Sequence, residues 1–399
     1  MVILQLCNKY PYPPNDGGTK AIVAHTDGFL AAGHRVIILA MNTCKHSGKK
    51  DTEKKTNINL DIIAVDVDTR LHIFGILKNL FFSSFPYNAA RFISPKYEAA
   101  LMAVLTSRQV DIIQLEGLYL MPYIQLLRKY SSAKIVLRAH NVEYLLWEQR
   151  AAAEKNILKK IYLRILAKRM KKFEQQCINT YDLLVPISNP DYDRYVKMGN
   201  NKPTHVCPFG YTVPAKKNTV TSKCIRLFFL GALDWQPNID GLLWFINSVW
   251  PNVVAANPEI QLQVAGRNAC KEIINACRRN NVEFLGQIPE VDTLYASNDV
   301  MVVPLFSGSG MRVKIIEAMA HGKVVISTTK GAEGIDCINK EHILLAGSVE
   351  EFITTILSLA GDFQLYKKIS ENAAAMVREK FDNFTLCSAL LEFYHLQGS

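Results

Sequence analysis

No stretch of the 399 residues approaches the roughly 20 uninterrupted apolar residues that a helix needs to cross a bilayer, so a transmembrane helix is excluded. The opening MVILQLCNKY lacks a basic segment and a small-residue cleavage site; it reads as a first buried strand, and no export signal is expected. Cysteine pairs of the CxxC type are missing. The nine cysteines (Cys7, Cys44, Cys177, Cys207, Cys224, Cys270, Cys277, Cys337 and Cys387) are scattered and odd in number. That spacing argues against zinc or a disulfide framework and for reduced thiols in a cytoplasmic compartment. No DxD-like metal motif stands at a strand end; Asp191 and Asp193 of NPDYDRY fit the first turns of a helix instead. No pair of carboxylates falls where a double displacement across a scissile bond would need it. Internal repeats and low-complexity segments are absent.

What is present is the material of two ordinary globular domains, since 399 residues exceed one typical core. Hydrophobic residues make up 49% and charged residues 21%, within the range of soluble proteins. A formal net charge of +10 implies attraction to something anionic. Nucleic acid, anionic lipid and phosphorylated substrates all qualify, so the charge alone does not choose.

Short β-branched runs alternate with helical stretches. The first half offers VILQL (2–6), RVIILA (35–40), DIIQL (111–115), KIVLR (134–138) and DLLVP (182–186). Near-continuous apolar runs of this length suit parallel strands covered on both faces. Residues 21–32 are helical and stop at Gly33, giving a βαβ unit and a doubly wound α/β first domain. Residues 211–223, YTVPAKKNTVTSK, read as a polar linker. A second α/β series follows: IRLFFLG (225–231), IQLQVAG (260–266), VEFLG (282–286), DVMVVP (299–304), KVVIS (323–327) and HILLA (342–346). A helical segment over 363–396 ends the chain. Two Rossmann-like halves with a cleft between them is the architecture expected.

Most of the functional information lies in PLFSGSGMRVKIIEAMAHGKVVISTTKGAEGI (304–335). A strand ends at Pro304, the loop Ser307-Gly308-Ser309-Gly310 follows, and a helix is expected from Met311 to Gly322. Such a loop lets backbone N–H groups approach an oxyanion, and the helix dipole favours negative charge there. Arg312 and Lys314 are cations in the first helical turn, the wrong end of the dipole unless an anion sits with them. Glu317 lies one to two turns further in, where a carboxylate can accept from a vicinal diol. A tight turn followed by a solvated helix face accounts for the same spacing, and the pattern alone leaves both readings open.

This stretch resembles the donor-binding signature of family 4 glycosyltransferases, two-domain enzymes of the GT-B fold. Glu317-Ala318-Met319-Ala320-His321-Gly322 matches the second half of their Glu-x7-Glu pattern. The resemblance implies that Glu317 holds ribose hydroxyls. Ser309 stands where the first Glu of the pattern falls, a departure that bears on sugar identity. LFFLGALDWQPNIDGLLWF (227–245) resembles the family's first C-terminal strand, with Gly231 letting backbone approach the diphosphate. The family's diphosphate-clamping Arg and Lys fall on Ala232 and Pro237, so that pair is missing and Arg312 and Lys314 are the candidates to replace it. LGQIPEVDTLYASNDVMVVP (285–304) resembles the base-binding loop, with Gln287 and Ile288 beside the base.

In the first half, KYPYPPNDGGTKAIV carries Gly17 and Gly18, which the resemblance sets beside the donor phosphate and acceptor. His140 of RAHNVEYLLWEQRA follows a strand end, where open α/β sheets place ligands, and the resemblance puts it near the reacting sugar carbon with Asn141 and Glu143 as supports. The implied domains are residues 1–215 (acceptor side), 216–375 (nucleotide-sugar binding) and a helix at 376–399 packing back on the first. The implied reaction is front-face, retaining transfer of a hexose-type sugar from a UDP- or GDP-linked donor to a glycan or lipid-linked acceptor, in cell-surface polysaccharide assembly. No metal and no cofactor are expected. A GT-B-fold nucleotide-sugar epimerase and a non-catalytic sugar-nucleotide-binding protein are the alternatives.

The segment AAAEKNILKKIYLRILAKRMKKFEQQ places the apolar residues Ile157, Ile161, Ile165 and Phe173 at helical spacing. Lys160, Arg164, Lys168 and Lys171 share another face. That face is either solvated or docks on an anionic membrane surface, peripheral to its cytoplasmic side. No aromatic stacking platform accompanies the charge, so nucleic acid is not an expected partner.

Overall fold

The computed structural model describes residues 1–44, 58–212, 225–308 and 310–398. Ser309, Cys224 and the expected linker from residue 213 onward lie outside them. The chain divides into unit 1, Met1–Gly210 with Asn383–Ser399, and unit 2, Tyr211–Asp382.

Unit 1 carries β1 Val2–Cys7, β2 Arg35–Asn42, β3 Leu60–Asp66, β4 Ile112–Glu116, β5 Lys134–Ala139 and β6 Leu183–Pro186. All pair in parallel in the order β3-β2-β1-β4-β5-β6. Its helices are α1 Gly17–Ala31, α2 Ile73–Phe82, α3 Tyr87–Ala90, α4 Pro95–Ser107, α5 Ile124–Tyr130, α6 Glu143–Ala153, α7 Ile157–Cys177 and α8 Asn189–Lys197.

The apolar runs are continuous because successive side chains enter two different cores. Leu4, Leu6, Ile37, Leu39, Ile113 and Leu115 join one cluster with Tyr97 and Leu101 of α4. Ile3, Cys7, Val36, Ile38 and Ile112 join another with Ile22 and Phe29 of α1. Strand β3 was not anticipated. It lies at the sheet edge and is mostly half-buried, and Asp61 and Asp66 confine its apolar run to the four residues 62–65.

Of the four apolar residues at helical spacing on α7, Phe173 is buried. Ile157, Ile161 and Ile165 are exposed, and the buried seam is Leu163, Leu166, Met170, Phe173 and Cys177. That seam alternates steps of three and four, which holds one face. The series Ile157, Ile161, Ile165 climbs in fours, drifting about 40° per step around the helix.

Unit 2 carries β7 Arg226–Leu230, β8 Gln261–Ala265, β9 Glu283–Gly286, β10 Val300–Val303, β11 Val324–Ser327 and β12 Leu344–Leu345. They too are parallel, in the order β12-β11-β10-β7-β8-β9. Helices α9 Gln236–Trp244, α10 Trp250–Ala256, α11 Lys271–Arg279, α12 Val291–Ser297, α13 Val313–Ala320, α14 Val349–Gly361 and α15 Phe363–Lys380 surround it. The terminal helical segment is two helices; α16 Asn383–Gly398 belongs to unit 1, where Leu390 and Tyr394 pack in the core of α1.

Candidate functional site

In an open α/β sheet the chain reverses its direction of growth at one strand pair, and the loops leaving the carboxyl ends of that pair diverge into a crevice. In unit 2 the pair is β7 and β10, and both loops lead into helix N-termini. Gly241 of α9 comes so close to β10 that an added Cβ would stand 1.8 Å from the Pro304 carbonyl oxygen, which draws the two loops together.

Lys314 of α13 reaches between them. Its Nζ donates to the Leu230 carbonyl at the end of β7 (2.8 Å) and to Asn238 Oδ1 on α9 (3.4 Å), over the ring of Phe229 (4.4 Å). These partners are neutral. Burial first, then the nearby Arg312 charge, push the Lys314 ammonium down to about 7. Buried Asn238 donates to the Ala232 carbonyl (2.9 Å), and an added Cβ on Gly231 would lie 2.8 Å from its Nδ2.

Arg312 is the N-cap of α13, not a residue of its first turn, and it is buried. Its Nη1 donates to the Gly310 carbonyl (2.8 Å), and its guanidinium lies over Trp235 (5.2 Å). Burial lowers it to about 10. Gly308 has φ +100, and an added Cβ would meet the Arg312 guanidinium at 2.8 Å and the Trp235 ring at 2.9 Å, so only glycine fits. Neither Trp235 nor Arg312, the N-caps of α9 and α13, caps its helix with a side-chain hydrogen bond. In unit 2, α14 and α15 are capped by Ser348 and Asp362, whereas α10, α11 and α12 also lack side-chain caps, so it is the buried cations that set α9 and α13 apart. Two helix N-termini without side-chain caps, with two partly or wholly buried cations, make an anion site.

Glu317 is buried, which removes the solvated-face reading for this residue. Burial, and then the Glu317 charge, hold the hydroxyls of Tyr295 and Tyr211 well above the ordinary phenol range. Tyr295 stacks on His321 (4.4 Å), which meets the Tyr211 hydroxyl at 3.0 Å. Gln287 and Ile288 follow β9 at the sheet edge, two strands from β7. Thus Gly231, Gly308, Gly310, Arg312 and Lys314 come together at the strand pair, with Glu317 further along α13.

In unit 1 the reversing pair is β1 and β4. Gly17 and Gly18 are the first residues of α1, behind an Asp16–Thr19 capping box, and Lys9 ion-pairs with Asp16 (2.7 Å). At the end of β4 stands Glu116, which the motif reading passed over. It is buried and accepts from Arg138 Nη1 (3.2 Å), His140 Nε2 (2.7 Å) and Gln114. Burial would raise its carboxyl, but the Arg138 charge and the His140 hydrogen bond hold it at about 2. An ionised carboxylate only accepts, so His140 Nε2 carries the proton and Nδ1 is an acceptor. Burial outweighs the carboxylate and keeps the imidazole below its usual range. Gln114 in turn accepts from Tyr394 of α16 (2.7 Å). Glu143 accepts from Tyr119 (2.7 Å) beside the N-terminus of α6, and burial lifts it to about 6. The signal that could have found Glu116 is an acid closing a buried strand, DIIQLE, next to the strand that ends before His140.

Residues 224–362 match the family model described as Glycosyl transferases group 1. Over 398 residues the chain is 23% identical to a Klebsiella pneumoniae protein described as an uncharacterized 44.6 kDa protein in the cps region, covering 98% of this chain and 99% of that one. Sucrose-phosphate synthase from Thermosynechococcus elongatus superposes with a TM-score of 0.74 at 16% identity, over 99% of both chains. HepE from Anabaena, in complex with UDP, gives 0.68 at 16% identity over 98% of this chain and 99% of that one. The fold is GT-B. A trehalose-6-phosphate structure from E. coli, bound with UDP-2-fluoro glucose, gives 0.64 at 16% identity over 98% of both chains. At these identities the GT-B likeness speaks for architecture, and chemistry has to come from the residues.

Proposed function

We propose that the chain is a retaining glycosyltransferase of the family 4 type that moves a hexose-type sugar from a nucleoside-diphosphate sugar to a glycan or lipid-linked acceptor. The observation that carries this reading is the meeting of Lys314, Arg312 and two helix N-termini without side-chain caps at one strand pair of unit 2. In it, these groups receive the diphosphate. Negative charge grows on the leaving phosphate as the glycosidic bond breaks, and preorganised cations and dipoles stabilise that charge more than the ground state. Neutralisation by protein groups makes a bound metal unnecessary. Glu317 accepts from the ribose diol, Gln287 and Ile288 flank the base, and Ser309 takes part in donor binding. Gly17, Gly18 and His140 serve the sugar side; the Glu116-fixed tautomer leaves His140 Nδ1 to accept from a sugar hydroxyl. The UDP, UDP-glucose and UDP-2-fluoro glucose in the relatives' structures support a UDP-type donor. The cps-region relative supports a place in cell-surface polysaccharide assembly.

Calorimetric titration of the full chain with UDP and with GDP in EDTA tests the reading. Binding of one of them without metal is expected. Heat that appears only with Mn²⁺, or with neither nucleotide under any condition, overturns it.

A further inference from the structure

Helix α2 has its polarity inverted. Positions 73, 74, 77, 78, 81 and 82 form its exposed stripe, and five of these six are apolar: Ile73, Phe74, Leu77, Phe81 and Phe82. Phe74 and Phe82 are 87% and 85% exposed, and none of the ten residues is buried. The inward side is made by Gly75, against which Tyr87 packs, and by Asn79 and Leu80, whose carbonyls accept from Arg169 of α7 (3.1 and 2.8 Å). Tyr162, two turns earlier on α7, lies within the electrostatic reach of Tyr87. So α7 runs beside α2, and it brings its own exposed apolar residues Ile157, Leu158 and Ile161. Apolar stripes of this size on a folded surface mark an interaction face.

Charge selects the occupant. No Asp or Glu stands between Asp68 and Glu98, or between Glu154 and Glu174, whereas Lys78, Arg164, Lys168 and Lys171 are exposed in those segments. Lys160 contributes less than expected: it is half-buried and donates to the Ala152 carbonyl (3.4 Å). No helix among the described residues is long and apolar enough to cross a membrane, so contact would be at the surface. A protein partner with an ordinary mixed-charge rim would leave so one-sided a cationic rim largely unanswered, and a second copy would set like charges against each other. An anionic bilayer satisfies both halves of the pattern, with apolar side chains entering the acyl boundary and cations meeting headgroups.

We propose that unit 1 docks on an anionic lipid bilayer through the apolar stripe of α2, with the start of α7 alongside. The proposal stands on these two helices and does not rest on the transferase reading. Co-sedimentation of the full chain with phosphatidylcholine vesicles, with and without phosphatidylglycerol, tests it. Wild-type protein is expected to pellet with the anionic vesicles at low salt. The triple variant Phe74→Ser, Phe81→Ser, Phe82→Ser should lose about tenfold or more of that partitioning, with circular dichroism and UDP titration unchanged. Arg164→Glu with Lys168→Glu should lose the salt-sensitive part. Wild-type protein that stays in solution overturns the proposal, as does a phenylalanine triple that pellets like wild type. A dimer in light scattering that the triple variant dissociates also overturns it, because a second copy then covers the face.

Discussion

Read from opposite ends, the two sheets have one strand order: β3-β2-β1-β4-β5-β6 and β9-β8-β7-β10-β11-β12. Each reverses its growth at the first and fourth strands, yet the two reversal points hold opposite chemistry. In unit 1 a buried carboxylate, Glu116, is answered by Arg138 and His140 from the neighbouring strand and its exit. In unit 2 the Lys314 ammonium has a backbone carbonyl, an amide and a ring around it. The first network is closed and holds a side chain in one tautomer. In the second, the partners of Lys314 are neutral, and burial with the Arg312 charge depresses the lysine. The same fold therefore supplies a positioning device in one unit and a receptor for an anion in the other.

The sharpest way to break the comparison is to remove one charge from each network. Arg138 is 0% exposed, and its Nε and Nη2 have no hydrogen-bond partner among the described residues, so Glu116 is its counter-charge. Glu116→Ala should destabilise by about 3–5 kcal/mol, the range for orphaning a buried charge, read by urea unfolding. Lys314→Met orphans no charge and leaves only neutral acceptors short of a donor, so it should cost less, about 1–3 kcal/mol at most. Equal losses in the two variants would abolish the distinction between closed and open networks.

Turnover should show the reverse ranking within unit 2. Lys314→Met and Arg312→Ala should each slow transfer more than they weaken donor binding, by about 10²-fold in kcat for the worse of the two, as for removal of one oxyanion donor. Wild-type kcat in both singles and in the double variant would make them structural charges. The diphosphate cation would then be sought in unit 1, with Lys20 the first candidate. Glu317→Ala should act on binding instead, costing the donor about 1.5–3 kcal/mol in Kd, the range for hydrogen bonds to a charged group. An unchanged Kd would leave Glu317 as a partner of Tyr295 and nothing more.

Much of this was legible in the chain. Eleven of the twelve strands among the described residues show as apolar runs, because buried parallel strands carry hydrophobic side chains on both faces. The edge strand β3 hides because it is only half-buried and its apolar run is four residues long, between Asp61 and Asp66. The glycine loop and Lys314 could be named from spacing, since a loop between strand and helix has few possible geometries. Whether Lys314 meets a carboxylate could not, because Leu230 and Asn238 arrive from 84 and 76 residues away. Glu116 and Arg138 were hidden for the same reason: their pairing is a fact of strand order. Helical spacing alone did not give the buried face of α7, because steps of four do not close on a helix turn of 3.6 residues.

The smallest expected effect is the most specific. Free Lys314 sits at about 7, lowered by burial and by Arg312. A bound diphosphate brings negative charge to its ammonium and favours the protonated form, so its value rises in the complex. The sign follows. Below the free value the site is already charged and this group adds no pH dependence. Above it, binding must first take up a proton, and Kd weakens as pH rises, by up to about tenfold per unit until the value in the complex is reached. The terminal phosphate gains its last charge near pH 6, and Arg312 at about 10 keeps its own charge to near pH 9. Titrations with UDP between about pH 7.5 and 9 therefore isolate Lys314. Lys314→Arg, which stays protonated throughout, should flatten the profile while keeping affinity at the low end, and Glu116→Gln should leave the slope intact because its charge belongs to the other network. A slope that survives in Lys314→Arg would place the titrating group elsewhere and remove the open network from the binding site.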